Sequence, residues 1–154
     1  MSGLLLAASL AASTGAWAGE NDAQAFFAQG RTLRAASNCK DAIPAFQRAL
    51  DLAPQGLGAL RNIAECEEQI GQFASARNSY WSLRRAVLQS TDPRYDGWEK
   101  YAEDSYNRLG PKVAKLTVVI EGARAGQAVS VIVDGKPLDP RLWGTPLERD
   151  LGPH

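Results

Sequence analysis

The chain has 154 residues, 45% apolar and 22% charged, with 17 basic and 17 acidic side chains. That length holds one ordinary domain or two small ones, and that composition is globular rather than disordered. Residues 19–113 carry 12 basic and 12 acidic groups and residues 114–154 carry 5 of each, with no Lys or Arg run. Phosphate binding draws on clustered positive charge, so neither nucleic acid nor an anionic membrane surface is an expected partner.

The first 18 residues, MSGLLLAASLAASTGAWA, contain no charged side chain. A short apolar core, Leu4 to Ala12, precedes Ala16-Trp17-Ala18, the small-x-small pattern read by signal peptidase. The run falls short of the roughly 20 apolar residues that a membrane-spanning helix needs. The lack of Lys or Arg before the apolar core leaves a buried N-terminal helix as the competing reading. The expectation is a signal peptide over 1–18 and export to the periplasm or cell envelope. No transmembrane segment is expected after cleavage, and no Cys follows the site to carry a lipid.

The next motif is NCKDAIPAFQRALDLAP (Asn38–Pro54), with Ile43, Phe46, Ala49 and Leu50 on one helical face. Its order is small Ala42, large Phe46, small Ala49, then Pro54. FASARNSYWSL (Phe73–Leu83) repeats that order, with Ala76 and Tyr80 each 34 residues after Ala42 and Phe46. Upstream, Gly30 matches Ala64 and Phe26 matches Leu60 at the same offset. Small residues belong where helices cross, large ones fill the space between pairs, and Pro54 stops a helix because the residue before proline avoids helical geometry. A period of 34 with two helices per period resembles the tetratricopeptide family. Repeat one spans about 22–55 and repeat two about 56–90. Leu88 stands where a proline would sit, so the second helix of repeat two should run longer. Ser90-Thr91-Asp92-Pro93 reads as a turn or helix cap. Trp98, Tyr101, Ala102 and Ser105 then fit a closing helix, with Glu99, Lys100, Glu103 and Asp104 as its polar outer face.

Gly110-Pro111 ends the helical part. KLTVVIE (Lys115–Glu121) and AVSVIVD (Ala128–Asp134) are β-branched with period two. Leu116, Val118 and Ile120 share one face, as do Val129, Val131 and Val133. Gly122–Gly126 reads as the hairpin loop joining these two strands. Asp134-Gly135 is a tight-turn signal, Lys136–Leu138 a third strand, and WGTPLERDLGPH the start of a fourth. VIVDGKPL, Gly144–Leu147 and Leu151–His154 resemble the PEGA-type β domain of bacterial envelope proteins, although the PEGA tetrapeptide is absent. Forty residues of β face without a closing strand bury little, so a truncated module is expected. The expected class is thus segregated α+β: antiparallel helix hairpins of about two and a half repeats, then a small incomplete antiparallel sandwich. The expected domains are 19–111, helical, and 112–154, PEGA-like.

Chemistry is sparse. The only histidine is His154, read as a frayed terminal residue, and no phosphate loop or nucleophile elbow appears. Glu65, Glu67 and Glu68 spread over more than half a helical turn and do not converge; Arg61, four before Glu65, suggests a paired, solvated face. No catalytic residue, metal or cofactor is expected. Tetratricopeptide geometry implies that Cys39 and Cys66 lie close, either as a disulfide or as two buried thiols. It also implies an inner groove formed by Phe27, Arg31, Arg34, Arg61, Asn62, Glu65 and Glu68. Of a carboxylate-clamp pattern only Asn62 fits, and Phe27 stands where a lysine would. The expected function is a non-enzymatic envelope scaffold that binds a protein or peptide in this groove. The alternative is a homo-oligomer assembled through β edge strands.

Overall fold

The computed structural model describes residues 14–122 and 128–154, with side chains described from Gly19 onward. The body of the expected signal peptide and most of the Gly122–Gly126 loop lie outside the described residues. Helices α1 (Thr14–Ala35), α2 (Cys39–Leu52), α3 (Leu57–Gln69), α4 (Phe73–Leu88) and α5 (Trp98–Leu109) are followed by strands β1 (Ala114–Leu116), β2 (Ile132–Val133), β3 (Lys136–Pro137) and β4 (Leu147–Arg149). The fold is α+β, with helices and strands segregated along the chain. Helix α1 runs through the Ala18–Gly19 junction without a break.

The helices form two hairpins and a single closing helix. Asn38 caps α2, its side chain accepting from the Asp41 amide at 3.4 Å. Helix α2 retraces α1: the Arg48 guanidinium sits 5.8 Å from the Phe26 ring, and Phe27 meets Phe46 at 5.6 Å. The helix ends recur at the sequence period, since Ala35 and Gln69, and Cys39 and Phe73, are each 34 apart. Helix α4 continues two residues beyond the point that corresponds to the end of α2, as Leu88 in place of proline allows. Ala42, Ala64, Ala76 and Ala102 are fully buried. Gly30 is small for a visible reason: a Cβ there would lie 2.7 Å from the Phe46 ring. Phe46 thus packs within its own hairpin and shares one buried cluster with Ala59 and Ile63 of the next.

Cys39 and Cys66 are joined as a disulfide, with Cα atoms 5.0 Å apart. It ties the start of α2 to the end of α3, so it links the two hairpins. Asp92 accepts from the Arg94 amide and starts a 3-10 turn, Pro93–Tyr95. The Tyr95 hydroxyl donates to the Gln55 carbonyl at 3.0 Å and accepts from the Leu57 amide at 3.3 Å, clamping this turn over the α2–α3 connection. On α5, Lys100, Glu103 and Asp104 are exposed. Glu99 and Glu103 also reach Arg84 of α4, at 3.2 and 3.7 Å.

The strands pair differently from the sequence expectation. The first and second predicted strands do not form a hairpin with each other among the described residues. Instead β1 pairs antiparallel with β4, Lys115 opposite Glu148, and β2 pairs with β3, Val133 opposite Lys136. The strands are also shorter than the β-branched runs, because a run becomes ladder only where a partner lies beside it. Beyond the ladders, single bonds remain: Gly144 donates to the Val118 carbonyl and Leu138 to the Val131 carbonyl, each at 2.8 Å. Alternation does hold, with Leu116, Val118, Ile120, Val129, Val131 and Val133 half-buried between exposed neighbours. Asp134 and Gly135 take φ of 53° and 71°, the left-handed pair a two-residue hairpin requires.

The β part is fastened to α4 by polar contacts. Helix α4 has no side-chain cap of its own at Gln72. Asp150 supplies one from outside, accepting from the amides of Ala74 at 2.6 Å and Ser75 at 3.3 Å and from the Ser75 hydroxyl at 2.7 Å. Arg77, 8% exposed, lies 3.1 Å from Glu148 of β4, and its guanidinium is 3.9 Å from the Tyr106 ring centre.

Candidate functional site: a groove over α1, α3 and α5

Residues 20, 24, 27, 31 and 34 fall on one face of α1 by helical spacing. That face, the exposed face of α3 and the start of α5 enclose a groove. At one end lies a cavity of about 940 Å³, walled by Phe27, Gly58, Tyr95 and Trp98 and, from the end of α2, by Leu52 and Ala53, with Glu20 and Arg94 among its polar lining; of the seven expected groove residues only Phe27 lines it. Gly58 keeps it open, since a Cβ there would stand in ordinary contact with the Phe27 ring, at 3.5 Å, and take up part of the space.

Beyond the cavity lies an ionic hub centred on Glu65, whose side chain is 16% exposed. Arg34 of α1 reaches Glu65 at 2.5 Å and donates to Asn62 at 2.5 Å. Arg61, one turn earlier on α3, donates to Glu65 at 2.7 Å, and the Tyr101 hydroxyl of α5 does so at 2.7 Å. The Arg61 guanidinium also stands 4.7 Å from the Trp98 ring and 4.4 Å from that of Tyr101. Burial works to raise the Glu65 carboxyl, but hydrogen bonds from Arg61 and Tyr101 and the charge of Arg34 outweigh it and hold it below the usual carboxylate range. One turn on, Arg108 donates to Glu68 at 2.5 and 2.9 Å, and the Tyr80 hydroxyl donates to the same carboxylate at 3.1 Å. The Arg108 hydrogen bonds dominate and lower the Glu68 carboxyl.

The seven residues expected in the groove therefore divide. Arg34, Arg61, Asn62 and Glu65 bond one another, Glu68 belongs to a second pair, and Phe27 is partly spent on Phe46. Arg31 is exposed and makes no ion pair among the described residues. Glu67 faces elsewhere: its Oε2 is buried with no hydrogen-bond partner among the described residues, and burial, with Asp150 nearby, raises its carboxyl against the opposing effect of Ser79. The three acidic residues thus do not converge. Trp98 and Tyr101, which the sequence suggested only as closing-helix positions, complete the groove.

A second cleft, about 850 Å³, separates α4 from the β part and includes Asn78, Trp81, Lys136 and His154. His154 makes two contacts at the surface: Nε2 donates to the Asp150 carbonyl at 2.7 Å and Nδ1 lies 2.9 Å from Asp134. The Asp150 carbonyl, then Asp134, raises its pKa. Among the described residues no cluster of three or more His, Cys, Asp or Glu side chains is placed to hold a metal, and no helix is long and apolar enough to cross a membrane. No protein-family model matches the chain, and no curated protein and no solved structure matches it.

Proposed function

We propose that the protein is a non-enzymatic interaction scaffold of the bacterial cell envelope, a tetratricopeptide-type helical stack with a PEGA-type β module, exported by a signal peptide. It captures a protein or peptide partner in the groove over α1, α3 and α5. The observation that carries this reading is the open cavity between Phe27, Gly58 and Trp98 beside a half-buried ionic hub. A concave apolar cavity with a few convergent polar groups is the kind of surface that seats another chain's side chain. The β module stands on α4 and would hold the groove at a distance from the envelope structure it touches.

The test is crosslinked capture from envelope fractions with wild type and Gly58→Gln. A Cβ at 58 would lie 3.5 Å from the Phe27 ring, an ordinary contact, so the new side chain fills the cavity without forcing the backbone. Loss of glycine from the helix should preserve stability or add about 0.5 kcal/mol. The expected outcome is a partner crosslinked to wild type and lost from the variant at unchanged melting temperature. Equal capture by both contradicts the groove. Inverting Glu65 would be a poorer test, because it strands Arg34 and Arg61.

One observation favours a second reading. Val119 and Ile132 are 63% and 68% exposed on the outer β faces. A second copy paired along the β edges that carry them would make the protein an assembly unit. Light scattering that shows concentration-dependent size, abolished by Ile132→Lys, would support it.

A further inference from the structure

The charges around the groove are uneven although the chain as a whole is neutral. Arg34 and Arg61 share one carboxylate, Glu65, and each keeps 34% of its side-chain surface exposed. Arg31 adds a third guanidinium on the same face of α1, with no ion pair among the described residues. Arg108 and Glu68, by contrast, balance each other. At the opposite end, Glu20 borders the cavity. Arg94 borders the cavity as well, but Asp92 holds it in an ion pair, so the cationic excess lies at the Arg31–Arg34–Arg61 end, beyond the cavity. Hydrogen bonds from a guanidinium to an incoming carboxylate are charge-assisted, and Arg offers further donors once two are used.

We propose that the groove selects an acidic amphipathic segment of a partner protein, with an apolar side chain in the Phe27–Gly58–Trp98 cavity and a carboxylate beside Arg31 and Arg34. This rests on the groove reading above and adds the chemistry and orientation of the occupant. Arg31 and Arg34 lie one and two turns beyond Phe27, about 6 and 10 Å along the helix. The carboxylate of an extended segment would stand about two or three residues from its anchor. A bare anion surface would leave the cavity unused, and a purely apolar partner would leave the cationic excess unmatched. The two features together define one ligand.

The test uses labelled synthetic peptides of three kinds and the full chain, read by fluorescence anisotropy. The first carries a Leu or Phe anchor with Asp or Glu two and three residues on. The second replaces the acids by Lys. The third keeps the acids and replaces the anchor by Ser. The first should bind at least about tenfold tighter than either other, weakening with salt. Arg31→Glu should lower its affinity about tenfold and Gly58→Gln should abolish it. Equal binding of acidic and basic anchored peptides overturns the charge selection while leaving the groove in use. Equal binding of the anchorless acid reduces the site to an anion surface and overturns the proposal. So does a dimer that Gly58→Gln dissociates, since the occupant is then a second copy. No binding of any peptide overturns the acidic-segment proposal alone; capture sensitive to Gly58 judges the groove separately.

Discussion

Between Ala23 and Leu109 the helices bury an almost continuous series of apolar side chains, among them Phe46, Tyr80 and Leu83. Between Ala114 and His154 only Leu138 falls in the same class among the described residues. The two regions are of comparable apolar character in sequence, so composition does not explain the difference. Partnership does. The inner helices α2, α3 and α4 each pack on a helix before and a helix after, and α1 and α5 each lie along one neighbour, whereas the β ladders are two or three residues long and paired once. Apolar burial accordingly holds the helical stack, and a few polar side chains hold the β part to it. A binding surface is best carried by the first kind of region, because a groove floor must keep its shape when empty.

Four changes would break or sharpen this contrast. The largest effect is expected from Cys39→Ala with Cys66→Ala. The disulfide closes a loop of 27 residues, and on the loop-entropy relation its loss costs about 3.5 kcal/mol. Thermal unfolding should show a drop of about 10 °C for a chain of this size. Gly30→Leu comes next, since it drives a side chain into the Phe46 ring; denaturant unfolding should show a loss of about 3 kcal/mol. Neither change acts through the β part.

Asp150→Ala tests the other region. It removes a cap that the chain supplies from a distance, worth about 1–2 kcal/mol. Proteolysis after Val113 should accelerate while the helical stack stays intact. If the whole protein unfolds together instead, the two regions are one cooperative unit and the contrast fails.

The smallest effect is a gain. The Glu67 carboxyl is raised in the folded protein, so its contribution is favourable below the ordinary carboxylate range and is lost as pH rises through the raised value. Glu67→Gln should therefore raise stability slightly at neutral pH and leave it unchanged in acid. Glu65 has the opposite sign. Its lowered carboxyl stabilises the fold above the ordinary range, and that contribution is lost as pH falls through the lowered value. Melting temperature against pH, with and without Glu67→Gln, separates the two.

The helical part was legible because its signals are local or periodic. Gly30 and Ala64, Ala42 and Ala76, Phe46 and Tyr80 recur at one offset, and the packing uses that recurrence. The Asp134-Gly135 hairpin was legible for the same reason, since a two-residue turn carries its own chemistry. The pairing of β1 with β4 was not, because it joins segments thirty residues apart with no turn to announce it. Of the Glu65 hub only the Arg61 pairing was legible, from its spacing of four on α3; bringing Arg34 and Tyr101 to the same carboxylate needs two further helices. Arg77 did leave a trace: it stands where repeat one has Ile43, an arginine on an apolar face. Its reason, the Glu148 contact from the β part, lies outside the repeat. Asp150 left none, as a cap supplied from 75 residues away has no local pattern.

The central claim is that the groove, not the β face, meets the partner. The most direct measurement places a photocrosslinking side chain at Arg31 in one protein and at Ile132 in another, then irradiates each in envelope fractions. Both positions are exposed. The account expects a discrete heteromeric adduct from position 31 and none from position 132. An adduct from position 132 alone, whether to another protein or to a second copy, would contradict it.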